Sequence, residues 1–269
     1  MLFELVLGVF AAMVGIMVAA WAIVLVTKNG GWTDVFWTWG TTVTLAAAAL
    51  CPISDTAITW RQWLVAGFMA LWGLRLGLYL TPRVASHPED TRYAAFREQW
   101  GKQYPRNMLF VTLPQGPATA LLAFSVVLAA RAQTGGAPAA ELGLRDALAG
   151  LVFLAALVGE YISDNQMKQF RADKANKGQV MDRGLWGWSR HPNYFFQWLG
   201  WCAYPMIALD PARPVTLLSL AAPVVMFGLL RYVSGVPPLE EAMLKTRGDL
   251  FRKYQARVSA FFPLPPKRA

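Results

Sequence analysis

The stretch Leu185-Trp-Gly-Trp-Ser-Arg-His-Pro-Asn-Tyr194 puts a guanidinium, an imidazole, an amide and a phenol at the head of an apolar segment. A second polar block, Leu239-Glu-Glu-Ala-Met-Leu-Lys-Thr-Arg247 followed by Tyr254 and Arg257, closes the chain. Upstream, Asp164, Lys168 and Arg171 are spaced by four and three, which sets them on one helix face. Those three also read as an ordinary basic helix end with a local Asp–Lys pair. Lys174, Lys177, Arg183, Gly184 and Gly187 lead from them to Arg190, and Pro192 suits a first helical turn. A fork-shaped guanidinium with several ammonium groups is what a pyrophosphate plus a further phosphate requires. The two blocks therefore predict a site for an anionic cofactor at a membrane face.

The elements that must position these groups follow from composition. The chain is 55% hydrophobic and 15% charged, with 12 Trp in 269 residues. Crossing about 30 Å of hydrocarbon takes roughly 20 apolar residues, and only helices or closed barrels satisfy their backbone there. The hydrophobic runs predict an all-α polytopic bundle of seven spans at 2–27, 35–52, 63–81, 108–131, 147–165, 193–209 and 214–233. The first is too long, and lacks the basic start and small-residue cleavage site, for a removable signal peptide. With the N-terminus outside, most of the 25 Lys and Arg fall on the cytoplasmic face, as the positive-inside rule asks. Arg61, Arg131, Arg145 and Arg213 fall on the other face, and Arg75 within a span. The net charge of +9 is thus largely topology; it suits membrane lipid or a phosphorylated ligand, not nucleic acid. The expected location is a bacterial-type inner membrane, with the cofactor site facing the cytoplasm. Cys51 and Cys202 show no metal-type or CxxC spacing. No G-x-G-x-x-G or Walker-type loop is present. Gln133–Ala140 reads as an exterior linker and 263–269 as a proline-rich end. One membrane domain, 1–269, is expected, with 1–131 mainly on the substrate side and 147–269 mainly on the cofactor side.

From about Tyr161 onward the chain resembles the C-terminal half of the steroid 5α-reductase superfamily, which includes sterol reductases. The resemblance rests on Asp164-x-x-x-Lys168-x-x-Arg171, on Gly184 to Tyr194, and on Tyr254-x-x-Arg257 with Phe262-Pro263. Weaker matches lie in Asp34-Val-Phe-Trp37, Leu71-Trp-Gly-Leu-Arg-Leu76 and Pro88-Glu-Asp-Thr-Arg-Tyr93, which resemble an uncharacterised bacterial branch. The resemblance implies a seven-helix reductase that uses NADPH to saturate a C=C bond conjugated to a ketone, in a steroid or isoprenoid enone; a monomer is expected. It places NADPH against Asp164, Lys168, Arg171 and Asn193. Arg183, Arg190, His191, Tyr194, Glu241, Arg247, Tyr254 and Arg257 complete the expected cofactor set. Glu160 stands where steroid reductases carry an amide, and Gln197, a substrate-side candidate with Trp37 and Arg75, where they carry an acid. The family presents basic and aromatic groups in the C-terminal block, where this chain has Glu240 and Glu241; an acidic pair binds ribose hydroxyls but not phosphate.

Hydride delivery to an enone β-carbon needs a proton or hydrogen-bond donor on the ketone oxygen. A carboxylic acid raised by desolvation, or a phenol, meets that need. Asp34, among Trp32, Trp37 and Trp39, and Tyr79 are the candidate donors. Asp34 equally reads as a cap of the second helix, and Tyr79 as an interfacial aromatic. Arg75 is either functional or a structural salt bridge, Glu160 being a candidate partner. A rival class, the S-adenosylmethionine-dependent isoprenylcysteine and phospholipid methyltransferases, shares an Arg-His-Pro-x-Tyr segment and a later Glu-Glu block. Its cofactor carries no phosphate and is cationic at sulfur, so it gives no role to the added basic cluster. A lipid-binding or transporter-like bundle leaves His191, Asn193 and Tyr194 unexplained.

Overall fold

A computed structural model describes residues 1–52, 57–132 and 141–267; the expected linker at 133–140 lies outside the described residues. Among those described there is no strand, and an isolated bridge between Ser189 and Ser259 is the nearest approach to one. The helices are α1 Leu2–Thr27, α2 Trp32–Leu50, α3 Trp60–Ser86, α4 Thr91–Trp100, α5 Tyr104–Thr112, α6 Gln115–Ala130, α7 Leu144–Ala172, α8 Pro192–Ala208, α9 Ala221–Gly228, α10 Val236–Arg247 and α11 Asp249–Arg257.

Local signals set several boundaries. Lys28, in the left-handed region at φ 54°, ends α1 before the Asn29-Gly30-Gly31 turn. A reciprocal capping box between Thr59 and Gln62 starts α3. Asp90 caps α4 by accepting from the Arg92 amide. α2 and α3 approach closely because residue 73 is glycine: a Cβ there would lie 1.9 Å from Thr42 Oγ1.

Five helical stretches are long and apolar enough to cross a membrane: Leu2–Thr27, Trp60–Ser86, Arg92–Ala130, Leu144–Ala172 and Pro214–Arg247. α2 falls short because Thr33, Asp34, Thr38, Thr41, Thr42 and Thr44 dilute its apolar content, and α8 because it has only 17 residues. The charged stretch from Arg83 to Arg106, between the expected spans 63–81 and 108–131, is mostly helical: α3 continues through Ser86, and α4 with the start of α5 takes up the rest. Its charges are compatible with helix because they pair, as Arg97 with Glu89 at 2.9 Å and Arg92 with Asp34 at 3.1 Å.

The chain divides into two compact units, Met1–Ala147 with Tyr204–Ala222 and Leu148–Ala203 with Pro223–Ala269. In the first, α1 packs on α2 and α6, and α2 on α3. Three of its arginines are consumed by the fold. Arg61, fully buried, grips Asp146 through Nε and Nη2, both at 2.8 Å, and also donates to the carbonyls of Ala132 and Glu141. Arg131 donates to the carbonyls of Ala48 and Cys51 at the end of α2, and Arg145 to that of Leu209. In the second unit, Phe196 of α8 lies against Gly159 of α7, and α10 packs on α11. A π-helical turn at Leu229–Val233 precedes α10.

Candidate functional site

The second unit gathers most of the polar residues singled out above. The backbone first sets the Arg190 loop: Gly184, at φ 58°, lies where a Cβ would clash with the Gln166 side chain, and Gln166 accepts from the next amide, Leu185, at 3.1 Å. The Trp186 indole donates to the Ser163 carbonyl at 3.0 Å, and the Tyr254 hydroxyl donates to the Trp186 carbonyl. Burial raises the Tyr254 pKa, so the phenol stays a donor. The Arg190 amide donates to the Ser259 carbonyl at 2.8 Å, the Ser189 hydroxyl to that of Phe261 at 2.8 Å, and the Leu264 amide to that of Trp188 at 3.0 Å. The last residues of the chain thereby lace the loop down.

On this frame Glu240 is a hub. Its Oε1 accepts from Arg190 Nε at 2.7 Å and lies 3.2 Å from His191 Nε2. Its Oε2 accepts from Arg190 Nη2 at 3.2 Å and Gln255 Nε2 at 2.7 Å. Arg190 Nη1 donates to the carbonyls of Gln255 and Val258, so the guanidinium spends four of its five N–H donors inside the protein. The His191 ring, 6% exposed, stacks on Tyr194 at 5.6 Å. Burial lowers the His191 pKa against the opposing pull of Glu240. A neutral imidazole facing a carboxylate must carry its proton on Nε2. Asn193 donates to Asp164 at 3.3 Å.

Beside this bracket lies a cavity of about 760 Å³, lined by Phe170, Gln179, Val180, Asp182, Arg183, Leu250, Lys253, Tyr254, Ala256, Arg257 and Lys267. Arg183, Tyr254 and Arg257 were expected in a cofactor site; Lys253, Lys267 and Asp182 were not. Arg257 pairs with Asp182 at 2.8 Å. Lys168 and Arg171 stand exposed on the last turns of α7. Arg247 donates to the carbonyls of Gln179 and Thr246. Of the two adjacent glutamates, Glu240 joins the bracket, whereas Glu241 is exposed and pairs with Lys245 at 2.6 Å. Gln197 is half-buried on α8.

The remaining candidates lie in the first unit. The Asp34 carboxylate accepts from Arg92 Nη2 at 3.1 Å and from the Tyr93 hydroxyl at 2.9 Å. The N-cap of α2 is Gly31, without a side-chain cap, so Asp34 sits in the first turn and does not fill the capping role. Burial raises the Asp34 pKa, opposed by Arg92 and the Tyr93 hydrogen bond. A small cavity of about 70 Å³ adjoins it, with Arg83, Asp90 and Arg92 in its wall. Arg92 and Tyr93, present in the Pro88–Tyr93 motif, had been given no role; the acid–base spacing from Asp34 is 58 and 59 residues, invisible to periodicity. Tyr79 is 39% exposed on α3, Arg75 is half-buried on the same helix, and the Trp37 indole donates to Thr119 at 3.1 Å.

Comparison with known proteins gives a family match over residues 20–258, to a family described as "Protein of unknown function (DUF1295)". An uncharacterized protein of Schizosaccharomyces pombe is 24% identical over 265 residues, covering 90% of this chain and 75% of its own length. No solved structure matches.

Proposed function

The chain belongs to the DUF1295 family, which is steroid 5α-reductase-like in general, and from that premise we propose that it is an NADPH-dependent enone reductase of the membrane. The reading gives it seven spans, α2 and α8 joining the five longer stretches, an external N-terminus and a cytoplasmic cofactor side. It takes as substrate a flat, membrane-soluble 4-ene-3-keto steroid or a related isoprenoid lipid.

The observation that carries this reading is the cation-lined cavity. Arg183, Lys253, Arg257 and Lys267 face one acid, Asp182, around about 760 Å³, within the size range of small-molecule sites. Apolar surface from Phe170, Val180 and Leu250 completes the wall. Such a surplus of positive charge suits a phosphorylated dinucleotide and disfavours the sulfonium of S-adenosylmethionine, which gains nothing from cations around it. When bound, NADPH supplies the hydride for the enone β-carbon. Arg190, His191 and Glu240 keep the neighbouring loop rigid, and Asp164 with Asn193 fixes the first turn of α8. Asp34, held by Arg92 and Tyr93, is the candidate acid at the ketone oxygen in this reading, acting from its protonated form.

The test is loss of NADPH absorbance by the purified, detergent-solubilised protein with a 4-ene-3-keto steroid, run beside a methyl-transfer assay with S-adenosylmethionine. Steroid-dependent oxidation with a saturated 3-ketone product is expected, and methyl transfer alone would sink the reading. Asp34→Asn should lower turnover about 100-fold, the scale of losing a general acid, while NADPH affinity stays within about twofold. An equal loss of both would return Asp34 to a structural role.

A further inference from the structure

We infer that the cavity between the end of α7, the 179–183 segment, α11 and the chain's last residues is a phosphate-monoester site, read by Arg183, Lys253 and Lys267. This rests on the dinucleotide reading above and assigns the cavity to the end of the dinucleotide that bears the extra 2′-phosphate.

The argument begins with which cations are already spent. Of the bases on α10 and α11, Lys245 pairs with Glu241 at 2.6 Å, Arg252 with Asp249 at 2.8 Å and Arg257 with Asp182 at 2.8 Å, while Arg247 donates only to backbone carbonyls. Among the described residues, the side chains of Arg183, Lys253 and Lys267 have no such partner, yet all three line the cavity. They arrive from separate parts of the chain. Lys253 lies one turn before Arg257 on α11, Arg183 precedes the Gly184 turn, and Lys267 is brought back when its amide donates to the Arg257 carbonyl at 2.9 Å. Three like charges around one space repel each other unless an anion sits among them. A phosphodiester oxygen pair carries a single charge, whereas a monoester carries about −1.5 to −2 at neutral pH. Three cations beyond the Arg257–Asp182 pair therefore match a monoester better than either diester phosphate of a pyrophosphate. Phe170, Val180 and Leu250 add apolar surface on which a purine can rest.

The experiment titrates intrinsic tryptophan fluorescence of the purified full chain in detergent with NADPH, NADH, 2′,5′-ADP, 5′-AMP and short-chain phosphatidic acid. The wild type should bind NADPH at least about tenfold tighter than NADH, which lacks only the 2′-monoester, the weight of one charge-assisted contact. The double variant Lys253→Gln with Lys267→Gln should weaken NADPH about tenfold or more, leave NADH within about twofold and leave the thermal midpoint unchanged. Both lysines are exposed, so the fold should tolerate the change. If the variant binds NADPH as the wild type does, or loses NADPH and NADH together, the inference fails, and steroid-dependent NADPH oxidation by the wild type decides separately whether the reductase reading stands. Binding of phosphatidic acid in place of 2′,5′-ADP, dependent on the same lysines, overturns it in favour of a lipid phosphate. A wild type that binds neither dinucleotide removes the reductase reading itself.

Discussion

Arg61 and Arg190 each hold a carboxylate by the same two-pronged grip, and each uses its remaining N–H groups on backbone carbonyls. The surroundings differ. The Arg61 and Asp146 side chains are 0% and 2% exposed, and their other partners are the carbonyls of Ala132 and Glu141 and the amide of Gly143. The Arg190 and Glu240 side chains are 11% and 14% exposed, and Glu240 also meets His191 and Gln255. One grip ends in groups that cannot change charge. The other continues into a titratable imidazole, a stacked Tyr194 ring and, along α11, a cavity. An arginine–carboxylate pair alone does not separate a fastening from a site; what the pair is joined to does.

The comparison is broken most severely at its buried member. Asp146→Ala leaves the Arg61 charge without its carboxylate, a loss of about 3–5 kcal/mol. Thermal unfolding in detergent should show a midpoint lowered by about 10 °C, and the pair of changes Arg61→Met with Asp146→Leu should recover much of it. A small loss for Asp146→Ala would show that the knot is better hydrated than its burial indicates. Glu240→Gln should have the opposite profile. Stability falls by only about 1–2 kcal/mol, since the site is partly wet, while NADPH affinity falls about tenfold because the Arg190 loop loses its hub. Equal behaviour of the two variants would erase the distinction. The smallest effect sharpens it further. His191 has an ordinary pKa of 6.5 that burial lowers in the folded state. As pH falls through 6.5 the unfolded chain gains a proton that the folded chain does not, so stability declines from there down to the lowered pKa. A plot of unfolding free energy against pH should fall as pH drops below 6.5, by at most about 1.4 kcal/mol per unit, and His191→Gln should flatten it.

The helical class and the ends of α1 were legible because a bilayer leaves a long apolar run no other backbone solution: the expected 2–27 is Leu2–Thr27. The stretch from Arg83 to Arg106 misled because charge density reads as loop when the partners are hidden; Asp34 lies 58 residues from Arg92. The Arg190 block was visible as an interruption of apolar sequence, and its spacing to Asp164 brought Asn193 within reach of that acid. The choice between Glu240 and Glu241 was not readable. Neighbours on a helix point about 100° apart, and the phase of α10 is set by the π-helical turn and Gly235 before it. Lys253 and Lys267 carried no signal in the sequence because only the return of the Lys267 amide to Arg257 brings the tail beside α11.

That lacing of the tail orders events during biosynthesis. The carbonyls that hold Arg190 and Ser189 belong to residues 255, 258, 259 and 261, some 65 to 72 positions later in the chain. At a synthesis rate of about 5–20 residues per second, α7 and α8 wait several seconds before their loop can be fastened. During that interval the loop is open to chaperones and proteases, so the Arg190 loop is fastened only when the end of its unit has been made.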